Sequence, residues 1–505
     1  MLHISAQCVI MKKKFAHLII ARSIKINYIL NLLRVLSAAL VGIFTLPYLT
    51  RVLGAENLGR VEYVYTIINY FILFSALGIP MYGIREVSKS RGNPRELFKV
   101  VAELYLLLLI TTVISYAVLF GILMSLDVFG GYKSLLILMS SMVILSNMGA
   151  EWYFQGIENQ LYITVRYVAV RLVIFFLFFL LIKVPEDYTV YAVLLVILNF
   201  GANILNFVLI SRKISKADIR FADLDIQRHF RPVLTIFVAT LAVNIYLQLD
   251  IFLIGFIAGD EYVGYYMIAN KLIRHIISFI TIIGAVLLPR LSYLYSHDRV
   301  LYEFYLAKSF NVIMLFAIPF SIYFFIFSDT IVMLMAGPAF SSSVLTMQIL
   351  SPLCIVVCLA YFMGFLILYP QNREKVYTKA TVIAAMTSIS VNYFAIQTYF
   401  QNGAAVVAVA AEVLAILIMY HYCLRNSLFP KVWNYNFLKI SVISLSLLAA
   451  GYFLVFGTVY SVAELGLYSF LFFIIYYGAL LVSGEHNTQS VYHYLQSKLV
   501  KNADL

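Results

Sequence analysis

Charge is scarce in this chain. Only 12% of its 505 residues are Asp, Glu, Lys or Arg, 63% are hydrophobic, and the mean hydropathy is +0.93. A soluble fold of this length could not hide so much apolar surface, so hydrocarbon is the expected solvent. Cysteine is sparse too. Of the four cysteines, Cys354 and Cys358 stand at i and i+4 on one helix face, which reads as packing rather than as a metal site or disulfide. There is no P-loop, no H-E-x-x-H and no nucleotide-binding glycine fingerprint, so an uphill process needs an ion gradient or downstream consumption of product. No cofactor or metal is expected. Asp223-Leu224-Asp225 has the D-x-D form of metal-dependent glycosyltransferases, but it sits in a polar loop with no αβ domain around it and reads as a solvated loop. No convincing signal peptide is read at the N-terminus either. Lys12-Lys13-Lys14 is followed by a segment broken by Arg22 and Lys25, with no small-residue cleavage site, and Met11 is a second candidate start.

What is present is a series of fourteen apolar runs. They lie near 26–49, 61–84, 100–125, 133–155, 161–183, 188–211, 232–257, 263–288, 306–327, 342–369, 377–399, 403–424, 438–459 and 463–483. Each exceeds the roughly 20 residues that a helix needs to cross hydrocarbon. Ten-residue alternations are absent, which argues against a β-barrel. The expected fold is therefore an all-α polytopic membrane protein with about fourteen spans.

The basic residues set its orientation. With the N-terminus inside, the inner segments hold about 28 of the 36 Lys and Arg, including Lys12, Arg85, Lys89, Arg95, Arg212, Lys213, Arg228 and Arg231. The outer loops hold Arg51, Arg60, Lys133 and Lys183. The net charge of +12 is thus explained by topology and lipid headgroups, not by nucleic acid. Both termini are expected in the cytoplasm, and the chain in the cell (cytoplasmic or inner) membrane.

The chain also repeats. Gly54-Ala55-Glu56-Asn57-Leu58-Gly59 is echoed by Gly259-Asp260-Glu261-Tyr262-Val263-Gly264, and Glu158-Asn159-Gln160-Leu161-Tyr162 by Gln371-Asn372-Arg373-Glu374-Lys375. Six spans per half keep both halves in parallel orientation. The expected organisation is an N-terminal lobe (1–211), a cytoplasmic connector (212–231), a C-terminal lobe (232–424), and an added hairpin with a tail (425–505).

The repeat places polar residues on matching faces. Segment 1 carries Asn27, Asn31 and Arg34; segment 2 carries Glu62, Thr66 and Asn69; segment 7 carries Asn244 and Gln248, with Asp250 on a different face. Segment 8 carries Lys271, Arg274, Ser278 and Thr281 on one side. Charges deep in a span are expensive and mark pathways or structural pairs. Arg171 and Glu103 read more readily as paired or snorkelling groups. Lys271 and Arg274 are like charges side by side, an arrangement that favours a visiting anion. With Arg34 they are the candidate site for a phosphate or diphosphate headgroup. Glu62, Asp250 and Glu412 are candidates for proton or sodium coupling, or for gating. The tyrosine clusters at Tyr63, Tyr65 and Tyr70 and at Tyr262, Tyr265 and Tyr266 read first as core or interfacial belt, and second as sugar contacts.

Several ordered motifs carry a family resemblance. Leu46-Pro47-Tyr48-Leu49-Thr50-Arg51-Val52-Leu53 running into the first glycine hexamer, Gly83-Ile84-Arg85-Glu86, and Glu151-Trp152-Tyr153-Phe154-Gln155-Gly156-Ile157-Glu158 resemble bacterial polysaccharide flippases of the Wzx type. So do Gly264-Tyr265-Tyr266 and Leu288-Pro289-Arg290-Leu291-Ser292. The resemblance implies the multidrug/oligosaccharidyl-lipid/polysaccharide superfamily fold, with two six-helix bundles around a central cavity. It further implies movement of undecaprenyl-diphosphate-linked oligosaccharides, the O-antigen or capsule repeat units, from the inner to the outer leaflet. Membrane lipids, polysaccharide polymerase and assembly proteins are the partners it implies. Competing readings are a multidrug/cation antiporter on the same fold, which suits an acidic rather than a cationic cavity, a flippase for the peptidoglycan-precursor lipid, and a membrane enzyme. The short outer loops disfavour the enzyme.

Overall fold

The computed structural model describes residues 24–215, 217, 220–428, 435–455 and 457–490. Every extended apolar run lies on a helix, and no strand occurs among the described residues. In order, the first half holds α1 (Ile24–Ala76), α2 (Ile79–Ser90), α3 (Pro94–Gly121), α4 (Lys133–Gly149), α5 (Glu151–Gly156), α6 (Gln160–Leu181), α7 (Tyr188–Val196) and α8 (Asn203–Ser215). Then come α9 (Gln227–Ile257), α10 (Asp260–His297), α11 (Arg299–Ile326), α12 (Ser328–Met335), α13 (Ser343–Leu350), α14 (Leu353–Tyr361), α15 (Glu374–Arg425), α16 (Tyr435–Leu454) and α17 (Val462–Val482). Short polar side chains start several of them. Asn93 accepts from the Arg95 and Glu96 N–H groups at α3, and Asp298 from Leu301 N–H at α11. At α17, Ser461 and Glu464 form a reciprocal capping box.

Ten helices among the described residues are long and apolar enough to cross a membrane, or eleven if the bent pair Asp260–Ile282 and Val286–His297 forms one span. The number is below fourteen for a physical reason. α1 and α15 each run through two expected spans, broken only by a kink at Gly54 (φ 74°) and at Phe400 (φ 50°). The seventh expected span lies on α9, where the side chains of residues 242–247 are outside those described. Exposed large apolar side chains are abundant, for example Phe470, Ile474, Ile475 and Val482 on α17. On a soluble protein such a face would be a liability; in a bilayer it is the solvated surface.

The chain divides into two compact units. Unit 1 is the chain up to Leu53 together with Val61–Gln248; unit 2 is Gly54–Arg60 together with the chain from Leu249 onward. The core of unit 1 joins Ile79, Tyr82 and Val87 of α2 to Leu97, Val101 and Leu104 of α3 and to the buried Trp152, Tyr153 and Phe154. Its buried amides donate hydrogen bonds, while the Asn206 carbonyl oxygen has no partner among the described residues. Asn147 donates to Ser75 Oγ (3.0 Å) and Thr112 Oγ1 (2.7 Å), and Asn206 to Gly149 O (2.6 Å). Where water is excluded, an unpaired amide would cost several kcal/mol.

One ionic network closes the end of unit 1. Glu103, fully buried, takes hydrogen bonds from Arg228 Nε (3.1 Å) and the Asp225 N–H (2.8 Å), and sits 2.8 Å from His229 Nε2. His229 Nδ1 is 2.7 Å from the Tyr82 hydroxyl. Asp225 of the D-x-D stretch is therefore a backbone donor to a structural carboxylate, and Asp223 lies 3.8 Å from Arg95. In unit 2, Leu315 of α11 packs with Ile440 of α16 and Tyr476 and Leu480 of α17, which seats the C-terminal hairpin on α11. Cys354, Cys358 and Cys423 are buried free thiols.

Candidate functional site

Intramembrane polar groups converge at one place in each unit. In unit 1 the centre is Glu151, at the start of the short helix α5. The αL conformation of Ala150 (φ 38°) turns the chain out of α4 and sets the Glu151 side chain among arginines. Arg166 of α6 donates to Glu151 Oε1 at 2.5 Å, and Arg34 of α1 to Oε2 at 3.4 Å. Arg166 is almost enclosed, and its Nε is buried without a partner among the described residues. Arg34 and Arg171 flank the Tyr167 ring, at 5.6 and 4.3 Å from its centroid. Three guanidinium groups thus gather around one carboxylate and one aromatic ring. The excess positive charge suits an anion with several oxygen acceptors.

In unit 2 the centre is Asp250, near the end of α9. It accepts from Tyr266 Oη (2.9 Å) and from Asn392 Nδ2 (3.0 Å), and Asn392 also donates to Ser388 Oγ (3.1 Å). Asp250, Tyr266, Ser388 and Asn392 are all buried, and the Asn392 carbonyl oxygen has no partner among the described residues. Four residues from Tyr266 along α10, Asn270 accepts from Arg274 Nε at 2.8 Å. Lys271 and Arg274 are half-buried, and exposed Ser278 bonds back to the Arg274 carbonyl at 2.8 Å.

The remaining expected residues are dispersed. Glu62 and Thr66 are buried inside unit 1, with Tyr191 Oη 3.5 Å from Glu62 and Thr66 bonded to the Glu62 carbonyl. Asn69, Gln248 and Glu412 are half-buried. The side chains of Asn31 and Asn244 lie outside those described.

Residues 24–295 match the polysaccharide biosynthesis protein family, more than half of the chain. The chain belongs to that family. It is 22% identical over 390 residues to a protein of Escherichia coli (strain K12) named "Putative O-antigen transporter", across 77% of this chain and 94% of the relative. A protein of the same name from Shigella dysenteriae is 23% identical over 382 residues, covering 74% and 93%. Among solved structures, the lipid II flippase MurJ in an inward closed conformation superposes with a TM-score of 0.70 at 16% identity, over 92% of this chain and 99% of its own. An inward-facing multidrug resistance MATE family transporter of the MOP superfamily superposes at 0.56 with 15% identity, over 78% and 94%. The chain thus shares the polytopic helical fold of these two solved membrane proteins.

Two partners of the site escaped sequence reasoning in this family member. Glu151 was visible as part of a motif but not as the counter-ion of Arg34, 117 residues away. Asn392 was one polar residue in an apolar run, and nothing local links it to Asp250, 142 residues earlier.

Proposed function

We propose that this protein is a flippase for polyprenyl-diphosphate-linked oligosaccharides. It carries polysaccharide repeat units from the inner to the outer leaflet of the cytoplasmic membrane by alternating access, with both termini in the cytoplasm, and makes or breaks no covalent bond. Arg34, Lys271 and Arg274 hold the diphosphate, and the lobes 1–211 and 232–424 rock about it. Family membership and the transporter names of its relatives support this reading. The observation that carries it is the retention of half-buried cationic side chains inside membrane-crossing helices, where each costs several kcal/mol unless it has work to do. An apolar cavity of about 490 Å³ in unit 2, walled by Phe310, Met314, Ile322, Leu359, Phe437 and Leu448, offers the polyprenyl tail a seat beside the bilayer. Asp250, enclosed with Asn392, is the favoured site for a coupling proton or sodium ion. Polymerase and assembly proteins would receive the product.

The test is translocation of a fluorescent polyprenyl-diphosphate oligosaccharide in proteoliposomes. Wild type should transport it, and the Arg34→Ala/Lys271→Ala/Arg274→Ala variant should lose most of the rate. Transport by both keeps the flippase and discards this diphosphate site. No transport by folded wild type, across several glycans and ion gradients, would favour cation antiport, for which Asp250 is the natural ligand.

A further inference from the structure

Unit 1 contains a mixed polar and apolar cavity of about 340 Å³ beside the arginine cluster, with Pro80, Met81, Ile84 and Leu108 among its apolar walls. Asn147, Glu151, Trp152, Gln155, Tyr167 and Asn199 are in its wall. The wall includes no Lys or Arg, and its one carboxylate, Glu151, is already paired with Arg166 and Arg34. What remains is amide, hydroxyl, aromatic and aliphatic surface. Amides donate and accept within one group, which matches the alternating needs of neighbouring sugar hydroxyls. Flat aromatic faces cover the C–H side of a ring. An inorganic anion would find no unpaired cation in this wall, and a cation would compete with two arginines for Glu151.

Much of the wall is held in place from behind. Asn147 is fixed by Ser75 and Thr112, and Asn203, also in the wall, donates to Leu145 O (3.0 Å) while accepting from Arg166 (3.2 Å). Asn199 stands on a π-helical turn, Ile197–Gly201, an irregularity that recurs at functional sites. Its amide nitrogen bonds to Leu195 O (3.0 Å). Gln155 is half-buried at the wall. At about 340 Å³ the cavity is near the small end of the roughly 300–1,000 Å³ found for ligand sites, a size for one ring rather than a chain. Arg34 joins the cavity to the anion site, because it contacts both Glu151 (3.4 Å) and the Tyr167 ring (5.6 Å).

We infer that this cavity is the subsite for the sugar attached directly to the diphosphate, a neutral pyranose whose hydroxyls are read by Gln155 and Asn199. The inference rests on the flippase reading above and adds to it the place where the first sugar is recognised.

Trp152 supplies the signal, because it lines the cavity and the other tryptophan, Trp433, can be removed by Trp433→Phe. The full chain in nanodiscs is titrated with farnesyl diphosphate, and with farnesyl diphosphate bearing N-acetylglucosamine, glucose or galactose. At least one glycosylated probe should change Trp152 fluorescence and bind roughly tenfold more tightly than the bare diphosphate, equivalent to one or two good hydrogen bonds. Gln155→Ala/Asn199→Ala should erase that advantage and leave affinity for farnesyl diphosphate unchanged, whereas Arg34→Ala should weaken every probe. Equal binding of bare and glycosylated probes, or equal loss of both in the amide variant, overturns the sugar subsite and leaves the flippase standing. If no probe binds and wild type also fails to translocate polyprenyl-diphosphate glycans, the flippase reading falls and the subsite with it.

Discussion

At the scale of single residues, the expensive groups show what the membrane interior is asked to hold. Asp250 was legible as an intramembrane acid set apart from the polar face of its own segment, but its setting was not. Tyr266 lies 16 residues on, one helix later, and Asn392 lies 142 residues on. A contact of that separation leaves no periodic trace in a single sequence. The enclosed carboxylate, with the unpartnered Asn392 carbonyl close by, is the arrangement expected of a site that exchanges a proton or a small cation. Asp250→Asn keeps the shape and a hydrogen-bond acceptor while removing the charge. Wild-type translocation should respond to an imposed proton or sodium gradient, and the Asn variant should lose that response while retaining a slower, gradient-independent rate. Identical gradient dependence in the two proteins would remove Asp250 from coupling.

At the scale of elements, the repeated glycine hexamers were legible as a motif, but their conformation was not. Gly54 and Gly259 open the two hexamers with nearly the same backbone, φ 74° and ψ 174° in one, φ 106° and ψ 175° in the other. That region is closed to residues with a β-carbon. Both sites have open space around the missing side chain, so substitution tests the backbone alone. Gly54→Ala and Gly259→Ala should each destabilise the protein by about 1–3 kcal/mol. The readout is thermal unfolding in detergent, with Gly92→Ala as the control in an equally open position. A midpoint for Gly54→Ala equal to that of the control would show that the backbone strain is absent. The matching kink in α15 had no such signal, because Phe400 adopts φ 50° without being glycine. Its ring stacks on Tyr262 at 4.5 Å, a tertiary contact that propensity does not encode. This is why apolar runs and helices were readable, while the continuity of α1 and α15 through their expected loops was not.

At the scale of the whole molecule, the short segment Gly54–Arg60 is the informative piece, since it groups with unit 2 while the chain on either side groups with unit 1. It packs directly on the start of α10, so the two glycine hexamers that announce the repeat lie against each other. A β-carbon on Gly59 would fall 1.8 Å from the Asp260 carbonyl oxygen, and one on Gly264 would fall 2.2 Å from that of Ala55. Small residues here permit backbone-to-backbone contact, the usual device for close helix approach in lipid. Arg60 adds a salt bridge to Asp260 at 3.0 Å. Both faces of this seam belong to unit 2, so it is a contact inside one compact unit. An Arg60→Cys/Asp260→Cys protein, cross-linked by a short, reducible, thiol-reactive bifunctional reagent, should therefore keep its translocation rate. The native thiols Cys354, Cys358 and Cys423 are buried, and single-cysteine variants control for modification alone. Loss of translocation on cross-linking, restored by reduction, would show instead that the seam opens as the protein works.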